Sequence, residues 1–103
     1  MAQFDVCRNP DPTSHVYAPY LLDVQIDFLD QFETRVVVPL MAEGALKPAT
    51  RLNPVFDVED RKVVMATQSL AAIRQRDIGE FVISLSTNRP EIIDAIDFLI
   101  TGI

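Results

Sequence analysis

Short apolar-rich runs of strand length, one of them alternating with a period of two, recur along most of the chain, and give way to a helical period only near its end. QFDVC, residues 3–7, sets Phe4 and Val6 against Gln3, Asp5 and Cys7, the spacing of a half-buried strand. RNPDPTSH, residues 8–15, carries two prolines among turn formers and predicts a loop. YLLDVQ (20–25) and RVVVPL (35–40) are rich in branched and aliphatic residues and predict sheet strands on either side of the acidic segment IDFLDQFET. Pro39 predicts that the second of these ends near a sheet edge or a bulge. PVFDV (54–58) and KVVMAT (62–67) flank a charged turn at Glu59, Asp60 and Arg61, which reads as a hairpin, and EFVISL (80–85) supplies a further strand. The result is five or so antiparallel strands. MAEGALK and QSLAAIRQ are too short to separate a turn of helix from a packed loop.

The last segment has a pattern long enough to specify its structure. After Ser86, Thr87 or Asn88 as N-cap, with Pro90 and Glu91 in the first turn, apolar residues recur at 92, 93, 96, 99, 100 and 103. Ile92, Ile96, Leu99 and Ile103 form one stripe with Ile93 and Ile100 beside it, while Glu91, Asp94, Asp97 and Thr101 point away. Phe98 falls among the acids, which fits either an interface or a ring lying across its own subunit. A helix C-terminus favours cations, yet no Lys or Arg follows Arg89, and Asp94, Asp97 and the Ile103 carboxylate add negative charge. The ending TGI therefore reads as a working end, and an arginine-bearing partner is expected to relieve its charge.

Composition narrows the function classes. With 103 residues and 49% hydrophobic side chains, residues 1–103 are expected to form a single domain around one core. There is no apolar run of about 18 residues and no leader pattern, so no membrane association is expected and the predicted location is cytoplasmic. Fifteen acidic against nine basic residues give a net charge of −6, which argues against direct nucleic-acid binding and for a basic protein partner or none in particular. Cys7 stands alone and reads as a small buried thiol. With no Cys/His cluster and only three glycines, no metal site and no cofactor are expected.

Three stretches, LLDVQIDFLDQFETRVVVPL, NPVFDVEDRKVVMATQSL and LSTNRPEIIDAIDFLITGI, resemble the CcdB toxins of bacterial toxin–antitoxin modules. The most specific pieces are DVQxDxLD followed by RxVxPL, and a terminal helix ending in Gly-Ile. The resemblance implies a mainly β fold with one long C-terminal α-helix: an SH3-like, partly open antiparallel barrel with a small β wing, of the CcdB/MazF kind. It implies a homodimer with the helices near the two-fold axis, placing Phe98 and Leu99 at the dimer interface. It also implies a poison of DNA gyrase, with a role such as plasmid maintenance, that binds the A subunit and traps the cleaved-DNA complex. The gyrase-binding residues would be Thr101, Gly102 and Ile103, with Asp97, Phe28 and Leu29 beside them. Neutralisation would come from a CcdA-like antitoxin with a disordered C-terminal segment, for which residues 8–15 and the segment MAEGALKPATRLN are contact regions.

One departure affects potency. The family motif ends Trp-Gly-Ile, with the aromatic stacked on a gyrase arginine, whereas Thr101 stands at that place here. Loss of a cation–π contact of about 0.5–2 kcal/mol weakens binding by roughly two- to thirty-fold. Two other readings stay open. A MazF-like endoribonuclease would need a base, an acid and a cation, with Asp57, Asp60, Arg61, Arg74, Arg76 and His15 as candidates. A binding module of the same family without toxicity has Thr101 as its only hint.

Overall fold

The computed structural model describes residues 1–29 and 31–102. Strands β1 (Asp5–Arg8), β2 (Tyr20–Asp23), β3 (Thr34–Ala42), β4 (Val55–Val58), β5 (Arg61–Met65), β6 (Ala71–Arg74) and β7 (Phe81–Ser84) precede helix α1 (Arg89–Thr101). They form one antiparallel sheet in the order β4-β5-β3-β2-β1-β7, with β6 also paired to β3. The fold is a half-barrel of β-strands with one C-terminal helix, as the sequence predicts.

Period-two patterning decides what fills it. Val6, Tyr20, Leu22, Val38, Leu40, Phe56, Val58, Val63 and Met65 are buried in one cluster, closed by Ile92 and Ala95 of α1. The intervening residues of the central strands face the other way, yet all four residues of β2 are buried, because loops cover its second face as well. Cys7 is buried, and burial, then Asp5, pushes its thiol above the ordinary range, as suits an inert side chain. Gly79 is required by close approach, since a Cβ there would stand 2.7 Å from the Arg8 carbonyl oxygen.

Pro39 does not end its strand. β3 runs on to Ala42, and β5 and β6 share its flank, β6 along Thr34–Val37 and β5 along Leu40–Ala42. The Pro39 carbonyl accepts from Ala66 N–H at 2.9 Å on that flank, so the missing proline N–H falls where one neighbour has ended and the next begins. The segment QSLAAIRQ contains a 3-10 turn, Thr67–Ser69, and then strand β6. Two alanines in an exposed strand carry almost no β signal, so its pairing to β3 supplies what its own composition lacks.

The β4–β5 hairpin turns on two residues rather than three. Glu59 and Asp60 have φ of 51° and 61°, and Val58 pairs with Arg61, the geometry of a type I′ turn. Glu59 then straps the hairpin across the open side of the sheet. Its carboxylate accepts from Arg8 of β1 at 3.0 and 2.8 Å and from the Tyr20 hydroxyl of β2 at 2.6 Å. The Arg8 hydrogen bond, then that of Tyr20, holds the Glu59 carboxyl below its ordinary range.

On the other face of β2 and β3 lies a buried ion pair. Arg35 Nε donates to Asp23 Oδ2 at 2.7 Å and Nη2 to Oδ1 at 3.0 Å, with side-chain exposures of 1% and 0%. Arg35 Nη2 also donates to the Gln25 carbonyl at 3.1 Å and lies 3.7 Å from Asp27 Oδ1. Gln25 receives Val36 N–H at its Oε1 and donates Nε2–H to the Leu29 carbonyl, while Asp27 accepts from Gln3 N–H at 2.7 Å. Asp23, Gln25, Asp27 and Arg35, four of the polar positions of DVQxDxLD…R, are thus one frame that shapes the turn between β2 and β3.

Arg35→Met strands the Asp23 carboxylate and is expected to cost about 3–5 kcal/mol in chemical denaturation. Adding Asp23→Leu should return most of that loss while leaving the amides of residues 24–29 exchanging faster than in the wild type. A double variant as unstable as the single would refute the pairing. For the hairpin strap, the depressed Glu59 value means its contribution is complete above about pH 4.3 and disappears as pH falls through the folded-state value. Glu59→Gln should flatten that acid limb of the unfolding curve.

Candidate functional site

The turn after β2 presents apolar side chains to water. A 3-10 turn spans Asp27–Leu29, and Phe28 is 82% exposed, with Ile26 and Phe32 also exposed nearby. Single exposed apolar residues are ordinary, but three large ones within seven positions on a turn fixed by a buried frame make a candidate contact surface. Of the predicted pair, Phe28 is displayed and Leu29 is half-buried. Ile26 and Phe32 escape a reading by strand or helix period because the segment follows neither.

Helix α1 lays Ile92 and Ala95 in the core, with Ile93, Ile96, Phe98 and Leu99 half-buried and Ile100 exposed. Its N-cap is Asn88, whose side chain makes no capping bond to the backbone; instead Asn88 Nδ2 donates to Glu91 at 3.3 Å. At the other end Gly102, at φ 71°, is a left-handed cap whose N–H bonds the Phe98 carbonyl at 2.9 Å. Thr101 Oγ1 donates to the Asp97 carbonyl at 2.7 Å. The helix therefore ends on an ordinary glycine cap, with Asp97, Thr101 and Gly102 at the surface. Ile103 lies outside the described residues.

Part of the negative charge on α1 is met within the chain, at Asp94. Arg51, in the loop between β3 and β4, donates Nε–H and Nη2–H to the two Asp94 oxygens, each at 2.9 Å. Its guanidinium carbon stands 4.9 Å from the centre of the Phe98 ring. The hydrogen bond from Arg51 is the main cause that lowers the Asp94 carboxyl below its ordinary range. Phe98 among the acids is thus met by a cation of its own chain.

The two groups of predicted residues occupy different parts of one chain. Gln3 links the turn to the start of α1, donating its N–H to Asp27 and accepting from Arg89 Nη1 at 3.4 Å. Thr101 lies about 18 Å further along the helix at 1.5 Å per residue. Asp27, beside Phe28 and Leu29, is linked through Gln3 to the first turn of α1, whereas Asp97, Thr101 and the Gly102 cap lie towards its other end.

A separate open groove of about 750 Å³ runs beneath the loop that follows β1. Leu21, Pro39 and Met41 line it, together with Asp11, Arg76 and Asp77. The candidate nuclease residues do not converge. Asp57 pairs with Lys62 at 3.3 Å, Arg61 lies over the Tyr20 ring, His15 Nδ1 contacts the Asp11 carbonyl, and Arg74 and Arg76 border Glu33. Glu59 and Arg8 form a further acid–cation pair, outside that candidate set, which sequence alone did not bring together. Among the described residues no cluster of three or more His, Cys, Asp or Glu could hold a metal, and no helix is long and apolar enough to cross a membrane.

Comparison with known proteins agrees with this architecture. A solved structure described as an endoribonuclease in complex with its cognate antitoxin, from a mycobacterial species, is similar with a TM-score of 0.77. The match covers 97% of this chain and 94% of that one at 12% identity, a likeness of fold. The family model for the CcdB protein matches residues 3–102, nearly the whole length. On that match the chain belongs to the CcdB family.

Proposed function

We propose that this chain is the toxin of a type II toxin–antitoxin module, that residues 1–103 make one toxin domain, and that it works in the cytoplasm by binding rather than by catalysis. Its target is the A subunit of DNA gyrase, which it traps on cleaved DNA. The observation that carries the reading is family membership over residues 3–102, joined to a helix end whose last turn stands at the surface. A poison of this kind needs only to bind the open, cleaved conformation better than the closed one.

A homodimer suits this action. With two helices near a two-fold axis and Phe98 and Leu99 at the interface, the dimer offers paired tips to a two-fold target. Asp97, Thr101, Gly102 and Ile103 make the tip contact, and Phe28 with Leu29 adds a second apolar one. A CcdA-like antitoxin with a disordered C-terminal segment neutralises the dimer, wrapping the loop of residues 8–15 above the groove and the segment after β3. The antitoxin bound to the mycobacterial endoribonuclease supports a partner of that kind.

That same neighbour favours a second reading, cleavage of RNA. Against it, the Glu59 carboxylate is engaged by Arg8 and Tyr20 and held below its ordinary range, which makes it a poor base at neutral pH. Purified gyrase separates the two. The full chain should accumulate cleaved DNA complexes and leave RNA intact, and the chain lacking Gly102 and Ile103 should stay folded, with accumulation reduced at least ten-fold. RNA fragmentation without gyrase complexes would establish the nuclease, and undiminished poisoning by the truncated chain would remove the tip as the working surface.

A further inference from the structure

Most arginines of this acidic chain are engaged. Arg8, Arg35 and Arg51 fork onto carboxylates, while Arg61 and Arg89 lie over the Tyr20 and Phe4 rings. Arg74 and Arg76 are the exceptions: both are exposed, and neither has a hydrogen bond, ion pair or ring contact among the described residues. The turn that carries them is nevertheless fixed. Gln75 N–H donates to the Glu33 carbonyl at 2.8 Å, and Ile78 N–H to the Gln75 carbonyl at 3.1 Å.

Their position gives the two cations a use. Arg76 stands on the groove beneath the loop that follows β1, where Leu21, Pro39, Met41 and Ile73 supply apolar lining. Arg76 also borders a second recess of about 380 Å³, together with Arg74, Gln75 and Glu33. An apolar track thus passes, at Arg76, into a stretch with two unpaired guanidinium groups. Asp11 on the groove is already engaged by Thr13 and Ser14, so it does not compete for them. Glu33 and Asp77 stand near the arginines without pairing to either, and they keep the stretch from being basic as a whole. Such a stretch suits single carboxylates set opposite each guanidinium, and disfavours a phosphate chain, which needs a basic footprint. An extended peptide meets the spacing, because side chains two residues apart share a face about 6.6 Å from one another.

We propose that this track receives the disordered segment of the antitoxin, with an apolar residue in the groove and acidic residues on Arg76 and Arg74. The proposal rests on the toxin–antitoxin reading above and adds the chemistry by which the segment is recognised. Neither arginine belongs to the gyrase contact or the dimer interface, so neutralisation and poisoning separate at these two positions.

The full chain, labelled with nitrogen-15, is titrated with acetyl-Leu-Glu-Leu-Glu-amide, its glutamine counterpart, its serine-for-leucine counterpart and a uridine hexanucleotide. The first peptide should bind best, with shifts at residue 41 and residues 73–77. Arg74→Ala with Arg76→Ala should weaken it about two- to thirty-fold, with the circular dichroism unchanged, and added salt should do the same. Equal affinity for the glutamate and glutamine peptides, shifts elsewhere on the chain, or tighter binding of the hexanucleotide would each overturn the proposal. In a gyrase cleavage assay the double variant should poison as the wild type does, yet need more of the antitoxin encoded beside it for neutralisation. Equal neutralisation of both chains would sink the arginine track and leave the antitoxin reading intact. An antitoxin that neutralises neither chain would remove that reading and this proposal together.

Discussion

Asp23 and Arg35 face each other across β2 and β3 with almost no contact with water, and the surface turn that follows takes its shape from them. Removing two charges from solvent costs several kcal/mol per ion, a cost that their attraction offsets only with good geometry and further hydrogen bonds. Here the fork is closed at 2.7 and 3.0 Å, and Gln25 and Asp27 extend it. Such a pair specifies structure more than it stabilises it. An apolar pair of similar volume would fill the same space and leave Gln25 and the Asp27 turn unguided. Phe28 can stand in water at a defined place because the residues beneath it are fixed by charge.

Arginine forks recur where one element must hold another. Arg8 on Glu59 joins the hairpin to the far strands, Arg35 on Asp23 anchors a turn, and Arg51 on Asp94 joins a loop to the helix. They differ in burial, and so in what they can do. The Arg35 pair is dry, whereas the Arg8 and Arg51 pairs are partly exposed and more weakly held. A chain with net charge −6 has three of its nine cations in bidentate contacts with three of its fifteen acids, so acids outnumber cations two to one among the rest. That distribution suits basic partners.

The strands and the terminal helix were legible because burial on one face writes a period into the sequence. β4 and α1 carry that mark most plainly, whereas β2, buried throughout, was legible from its run of aliphatic residues. β6 was not, since an exposed Ala-Ala pair has no face to bury and its strand character comes from β3. Pro39 misled because the sequence shows a missing donor but not that two neighbours part at that point. At the site, the exposure of Phe28 and the surface position of Thr101 and Gly102 follow from motif and helix stripe. The Arg51 clamp does not, because it joins residues 43 positions apart through a loop without periodicity.

The state of the acids bears on whether chemistry or binding fits this surface better. A general base at neutral pH needs a carboxylate pushed upward by burial or by a like charge. Glu59 and Asp94 are instead pulled down by arginine hydrogen bonds, and Asp11 by those of Ser14 and Thr13. Among the described residues the one dry carboxylate, Asp23, is closed off by Arg35. What remains exposed and geometrically placed is Phe28 on its turn and, at the end of α1, Ile100 beside Asp97 and Thr101, and these support the proposed binding reading.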